Sequence, residues 1–393
     1  MLLQFPEGFL WGTSTSAAQI ETAFDHQFKG IEASDGFIFE RTIDHEKRRA
    51  EDATYITQFG NIYRCSVDWS RLQLSPLTPF DAGVVREYRD FFEVLQKEGV
   101  RIMFVLYHFA HPSWFEHKDG WLQEKNIDFF VDFARRCQRH FGEYIHSWNT
   151  FNEPNAYVAM AYLLGNFPPY HRRRLRAAWK AMRNMGSAHE IIYDYLHARQ
   201  PDAFVGVAQS VARFKGANFL GRIPALLCHW WYNRYSARFF KKVDFWGVNY
   251  YAYVPFDPRP VTEIQRPGRL DDLGISHDDI WGYRPQELVH FLNYFHKKYG
   301  KPVVVTESGI CSGDPGQRIQ GIKDYLRSCH EALKQGVDLR GYIHWSTFDN
   351  FEWHLGPSYR FGLVHVNQFT KDRRMTSAGE FFKQVICENG VEV

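Results

Sequence analysis

Short runs rich in β-branched and aromatic residues alternate along this chain with longer stretches whose apolar residues recur at helical spacing. Leu10–Thr15 is the first such run, Ile62–Trp69 alternates like a strand, and Arg101–Tyr107 is almost continuously apolar. An uninterrupted apolar run of that length fits a parallel strand buried on both faces. Later runs end at Glu153 and span Ala203–Ala208, Val243–Tyr251, Val303–Glu307 and Leu339–Trp345. Between them the spacing predicts helices near 47–59, 83–98, 126–141, 172–199, 223–240, 285–299, 316–335 and 376–387. Gly99 follows the second of these, where a C-capping glycine belongs. Residues 258–279, rich in Pro, Gly and Asp, predict a loop, after which the same rhythm resumes. Eight strands alternating with eight helices, with no low-complexity boundary, predict an α/β fold: a single (β/α)8 TIM barrel spanning 1–393 as one domain.

Composition narrows the function classes. Forty-seven basic and 45 acidic residues leave a net charge of +2, so no global field attracts a nucleic acid or an anionic membrane, and neither is expected as a partner. The one basic run, His171–Arg174, reads as a solvated helix start. The opening MLLQFPEGFLWG lacks both a basic leader and a long apolar core, so export is not expected. The most apolar internal run, Ile102–Phe109, is too short to span a bilayer. Six scattered cysteines show no metal-ligand spacing; they read as reduced thiols of a cytoplasmic protein that needs neither metal nor other cofactor. Aromatic residues reach 17%, an excess suited to sugar rings, which present C–H faces and hydroxyl rims.

The chemistry sits at strand ends. In Thr150-Phe151-Asn152-Glu153-Pro154 the proline forbids the ladder from continuing, and in Val303–Glu307 the strand turns at Ser308-Gly309. Two carboxylates at the C-terminal ends of different barrel strands are what an enzyme uses to work on one glycosidic bond from two sides. The other strand ends and the loop after the last strand add Gln19, Arg64, His108, Asn152, Tyr251, Trp345, Glu352 and Trp353. Each is polar or aromatic where packing alone favours an aliphatic residue.

These motifs, in order, are AAQIE around Gln19, YRCSVDWSR around Arg64, YHF around His108, TFNEP, Asn249-Tyr250-Tyr251, TESG and WSTFDNFEW, with Phe361 beyond. The series resembles glycoside hydrolase family 1, the β-glucosidase and β-glycosidase family, from Phe5 to about Phe382. The resemblance implies a retaining, exo-acting β-glycosidase on small β-glycosides or oligosaccharides, with Glu153 as acid/base and Glu307 as nucleophile. It further implies that Arg64 and Tyr251 attend the nucleophile, and that Gln19, His108, Phe109, Asn152, Trp345, Glu352, Trp353 and Phe361 line the sugar site. An acid at Glu352 accepts hydrogen bonds from neutral hydroxyls and repels a phosphate, so substrates are expected to be non-phosphorylated β-glucosides with related galactosides or fucosides. The chain departs from the family pattern at Phe109, where tryptophan is usual, at Asp68, where a small or apolar residue is usual, and at Thr22, which replaces a glycine. It is also short for the family, mainly between the fifth and sixth strands and near 22–45 and 253–285. A barrel glycanase of another family and a non-catalytic sugar-binding barrel are the rival readings.

Overall fold

The computed structural model describes residues 1–256 and 267–392. Eight parallel strands close into a barrel: β1 Leu10–Ser14, β2 Ile62–Ser66, β3 Arg101–Tyr107, β4 Ile145–Asn152, β5 Phe204–Gly216, β6 Phe245–Phe256, β7 Val303–Ser308 and β8 Leu339–Trp345. Each pairs with its sequence neighbour, and β1 pairs with β8. The surrounding helices are α1 His45–Ile56, α2 Ala82–Lys97, α3 Ile127–Phe141, α4 Leu175–Arg199, α5 Arg222–Trp230, α6 Glu287–Tyr299, α7 Pro315–Lys334 and α8 Ser377–Glu388. Helix starts follow side-chain chemistry: Asp81 accepts from the amides of Gly83 and Val84 at 2.8 and 3.0 Å, and Thr376 from that of Gly379 at 3.1 Å.

Leu10, Ile62, Met103, Phe245, Val304 and Ile343 form a buried cluster drawn from six of the strands. Ile62 lies two residues before Arg64 on β2, and Phe245 lies four before Asn249 on β6; an even spacing keeps them on one face of the strand. The cluster is therefore the apolar floor of the barrel, and the polar groups stand one layer above it. The larger core, between strands and helices, is strongly aromatic, with Trp121, Trp148 and Trp246 wholly buried.

Several expectations are corrected. β5 and β6 run on to Gly216 and Phe256, well past the expected ends, and remain paired to the last residue. The stretch expected as one helix over 223–240 is α5, then a π-turn at Trp231–Tyr235 and a 3-10 turn at Ser236–Phe239. Within the expected loop 258–279, Pro267–Asp272 is a short helix, and 257–266 lie outside the described residues. Two short pairings had no sequence signal: Leu2–Gln4 with Gly390–Glu392, and Val364–Val366 with Arg373–Met375.

Candidate active site

β4 ends abruptly. The Glu153 amide donates to Ala208 O of β5 at 2.8 Å, after which Glu153 takes a left-handed conformation (φ 43°, ψ 54°) and Pro154 opens a short helix. Proline suits a first helical position, where its missing N–H is not needed. The carboxyl, 9% exposed, accepts from Asn249 Nδ2 at 3.0 Å. Ser210, itself hydrogen-bonded by the Tyr232 hydroxyl at 2.8 Å, also reaches it. Among the described residues no cation is paired with this acid.

Glu307, at the end of β7, is 3% exposed and lives differently. Arg64 Nη1 donates to its Oε1, and the Tyr251 hydroxyl donates to Oε2 at 2.9 Å. Arg64 is wholly buried and further held by Ser14 Oγ at 3.0 Å and Asn152 Oδ1 at 2.6 Å. Asn249 Nδ2 reaches both Asn152 Oδ1 and Glu153 Oε1 at 3.0 Å, and the Thr306 hydroxyl fixes its carbonyl at 2.6 Å. One amide thus ties the acid of β4 to the network around the acid of β7.

The electrostatics separate the two carboxyls. Burial, then the charge of Glu307, pushes Glu153 up to about 8. Burial raises Glu307 as well, but the Arg64 guanidinium and the Tyr251 hydroxyl oppose it. On losing the first proton the pair therefore ionises at Glu307, because the Arg64 guanidinium is in contact with that carboxyl and holds the charge. Burial and the Glu307 charge keep the Tyr251 phenol far above its ordinary value, so it remains a donor.

Deeper in the mouth, Gln19 Nε2 donates to Asn350 Oδ1, Phe351 O and Glu352 Oε2 at 3.1, 3.1 and 3.3 Å, while Gln19 Oε1 is buried without a partner. His108 Nε2 meets Asn152 Nδ2 at 2.9 Å and its Nδ1 is likewise unpartnered. Burial and Arg64 hold that imidazole well below its usual value, hence neutral. Orphaned buried polar atoms are costly, and two of them close to the paired glutamates are suited to a polar ligand. The rings of Trp345 and Trp353 lie 5.6 and 6.2 Å from that of His108, and Phe109 packs 5.1 Å from Trp353. Glu352 is pushed up to about 8 by burial and by Glu307. Phe361, 2% exposed, stands edge-on to Tyr251 at 6.0 Å.

The family model of glycosyl hydrolase family 1 matches residues 1–217 and 234–391. The chain belongs to that family. Beta-glucosidase A of Acetivibrio thermocellus is 27% identical over 445 residues, covering 99% of each chain. Beta-glucosidase A of Thermotoga maritima is 26% identical over 455 residues at the same coverage. Among solved structures, the beta-glycosidase from Pyrococcus horikoshii superposes with a TM-score of 0.88 at 28% identity, covering 100% of this chain and 97% of that one.

In this family 1 glycoside hydrolase, all twelve residues singled out in the sequence surround the barrel mouth or back its walls. Asn249 and Thr306 stand within the motifs quoted from the sequence, but sequence reasoning gave neither a role at the site, although Asn249 is a polar residue two positions before Tyr251 on β6. That reasoning missed Ser210, and Trp281, whose ring lies 5.3 Å from that of Tyr251. Trp281 arrives from a distant loop, and nothing local in the sequence announces it. Asp68, a departure from the family pattern, has a structural job. Its carboxylate caps the turn Trp69–Leu72, accepting from the Ser70 amide and hydroxyl at 2.8 and 2.7 Å. Thr22 donates to Glu46 Oε1 at 2.6 Å and pins the first loop to α1. Among the described residues no group of His, Cys, Asp and Glu could hold a metal ion.

Proposed function

We propose that this enzyme is a retaining, exo-acting β-glycosidase that hydrolyses non-phosphorylated β-glucosides, with related β-galactosides and β-fucosides, through a covalent glycosyl-enzyme. The observation that carries this reading is the asymmetry of the two glutamates: Glu307 is clamped by Arg64 and Tyr251, whereas Glu153 has no cation paired with it among the described residues and is pushed up to about 8. The clamped, ionised Glu307 attacks the anomeric carbon while protonated Glu153 gives its proton to the leaving oxygen. Formation of the ester removes the charge on Glu307. The acidity of Glu153 then rises, and as carboxylate it takes the proton from the water that cleaves the ester. Atoms balance: one water is consumed, and each glutamate returns to its starting protonation state.

Gln19, His108, Asn152 and Glu352 supply the hydroxyl contacts, supported by the unpartnered Gln19 Oε1 and His108 Nδ1. Trp345 and Trp353 offer ring faces to the sugar. The β-glucoside preference draws support from the β-glucosidase relatives. The test is product stereochemistry. With an activated aryl β-glucoside and azide, Glu307→Ala should release α-glucosyl azide and Glu153→Ala the β-azide, identified by NMR. Swapped anomers, or one anomer from both variants, would overturn the assignment.

A further inference from the structure

The family model leaves residues 218–233 unmatched, and in this interval the surface changes character. Phe219, Leu220, Ile223, Leu226, Leu227 and Trp230 are between 47% and 79% exposed. Ile223, Leu226, Leu227 and Trp230 fall at helical spacing on one face of α5, the face turned away from the protein. The opposite face buries only the small Ala225, with His229 and Cys228 beside it, against Ala212, Val254 and Phe256 of the projecting ends of β5 and β6. This helix therefore shows solvent its larger apolar side, the reverse of an ordinary barrel helix.

Charge says what covers it. From Ala203 to Val243 the sequence holds seven Lys and Arg and no Asp or Glu, although the whole chain carries only +2. Arg213, Lys241 and Lys242 are paired with Glu287, Glu190 and Asp194 on neighbouring helices. Lys215, Arg222 and Arg238 are exposed and make no ion pair among the described residues. The Arg222 guanidinium lies 5.9 Å over the Phe219 ring, and the Arg222 backbone abuts Gly216, next to Lys215. An apolar helix face with aromatic edges and, among the described residues, a basic rim fits the headgroup region of an anionic bilayer, with alkyl and ring groups below and the cations at phosphate level. A second copy of the chain fits poorly, because a two-fold contact on this face sets Arg222 and Lys215 against the same cations of the other copy.

The location gives the contact a purpose. β6 continues five residues beyond Tyr251, to Phe256, roughly 16 Å of strand at ~3.3 Å per residue, and α5 lies against that projection. We propose that the outer face of α5 with the loop Ala217–Leu220 seats this enzyme in the interface of an anionic lipid surface, beside the barrel mouth, where it meets glycosides whose leaving group is lipid-like. No helix of the described residues is long and apolar enough to cross a membrane, so the contact is peripheral. The proposal departs from the expectation of no membrane partner, which rested on the net charge and not on its distribution.

The test is flotation of the full chain with vesicles of phosphatidylcholine, with and without phosphatidylglycerol. The wild type should float with the anionic vesicles, less with the neutral ones, and release as salt rises and screens the rim. Leu226→Glu/Leu227→Glu should weaken partitioning by roughly tenfold or more, and Phe219→Ser/Leu220→Ser, which leaves the helix untouched, should weaken it in the same direction. Hydrolysis of a soluble aryl β-glucoside should be unchanged in both variants, which reports folding independently. Wild-type protein that ignores both vesicles, or variants that float as well as wild type, would sink the proposal. So would a wild-type dimer that the substitutions convert to monomer without altering flotation.

Discussion

At the scale of single residues, the site works by giving two like carboxyls unlike neighbours. Among the described residues Arg64 is the one cation that touches Glu307, and Tyr251 holds the second oxygen. The hydrogen bond from Tyr251 lowers the proton affinity of Glu307, so it extends activity to lower pH. The proposed mechanism requires Glu307 ionised and Glu153 protonated, so kcat/KM should rise as Glu307 ionises and fall as pH passes about 8, where Glu153 loses its proton. Tyr251→Phe should move the acidic limb upward, leave the basic limb nearly in place and cost on the order of tenfold to a hundredfold in kcat/KM, as expected for one hydrogen bond to a charged group. A pH–rate profile in which the basic limb moves instead would mean that Tyr251 serves Glu153. Phe109 is the other residue of interest: it sits at φ 66° among Trp353, Phe167 and Tyr157, and a phenyl ring has no N–H to offer a sugar hydroxyl.

At the scale of elements, close approach of backbones decides where small residues are obligatory. Gly186 lies within the 25-residue α4, where a helix former is preferred; a Cβ there would fall 2.3 Å from Phe239 O. The glycine is what lets α4 lie against the 3-10 turn that follows α5. Gly186→Ala should therefore destabilise by about 1–3 kcal/mol despite alanine's better helix propensity, because the backbone must shift. Gly313→Ala, where the added methyl meets open space, should be nearly silent. Urea unfolding of the two variants distinguishes them, and equal midpoints would remove the close-approach argument. The same kind of contact explains what was legible beforehand. All eight barrel strands were readable, since strand runs and helical spacing are local signals, and so were the polar strand ends, since a Glu or Arg there contradicts burial. The overrun of β5 and β6 was not, because Ala212–Gly216 and Ala252–Phe256 are held by each other and by α5, a partnership that no local window contains. The breaking of 223–240 into three helical forms was hidden for the same reason: its periodicity is helical throughout. The role of Asn249, though the residue stood in a quoted motif, was hidden differently, because it comes from joining Glu153 to the network around Glu307 on another strand.

At the scale of the whole molecule, the barrel is locked where its two ends meet. Leu2–Gln4 pairs with Gly390–Glu392, and Asn389 joins three segments at once. Its Oδ1 accepts from Trp11 Nε1 at 2.8 Å, its Nδ2 donates to Phe5 O at 2.8 Å, and its own carbonyl accepts from the Phe5 amide at 3.0 Å. Asn389 also closes α8 in a left-handed conformation (φ 45°, ψ 38°), which asparagine tolerates better than alanine does. Because this clasp ties the start of β1 to the end of α8, it couples the first and last barrel elements into one cooperative unit. It lies before β1, at the end of the barrel opposite Glu153 and Glu307. Asn389→Ala should lose both side-chain bonds and strain the cap, costing about 2–4 kcal/mol. Asn389→Gly should keep the left-handed turn and lose only the bonds, costing about 1–2 kcal/mol. Both should retain wild-type kcat on an aryl β-glucoside at low temperature while melting earlier, with alanine the worse. Thermal unfolding alongside kcat is the measurement. A loss of kcat without a fall in Tm would mean that the clasp reaches the active site and is not a lock on the fold alone.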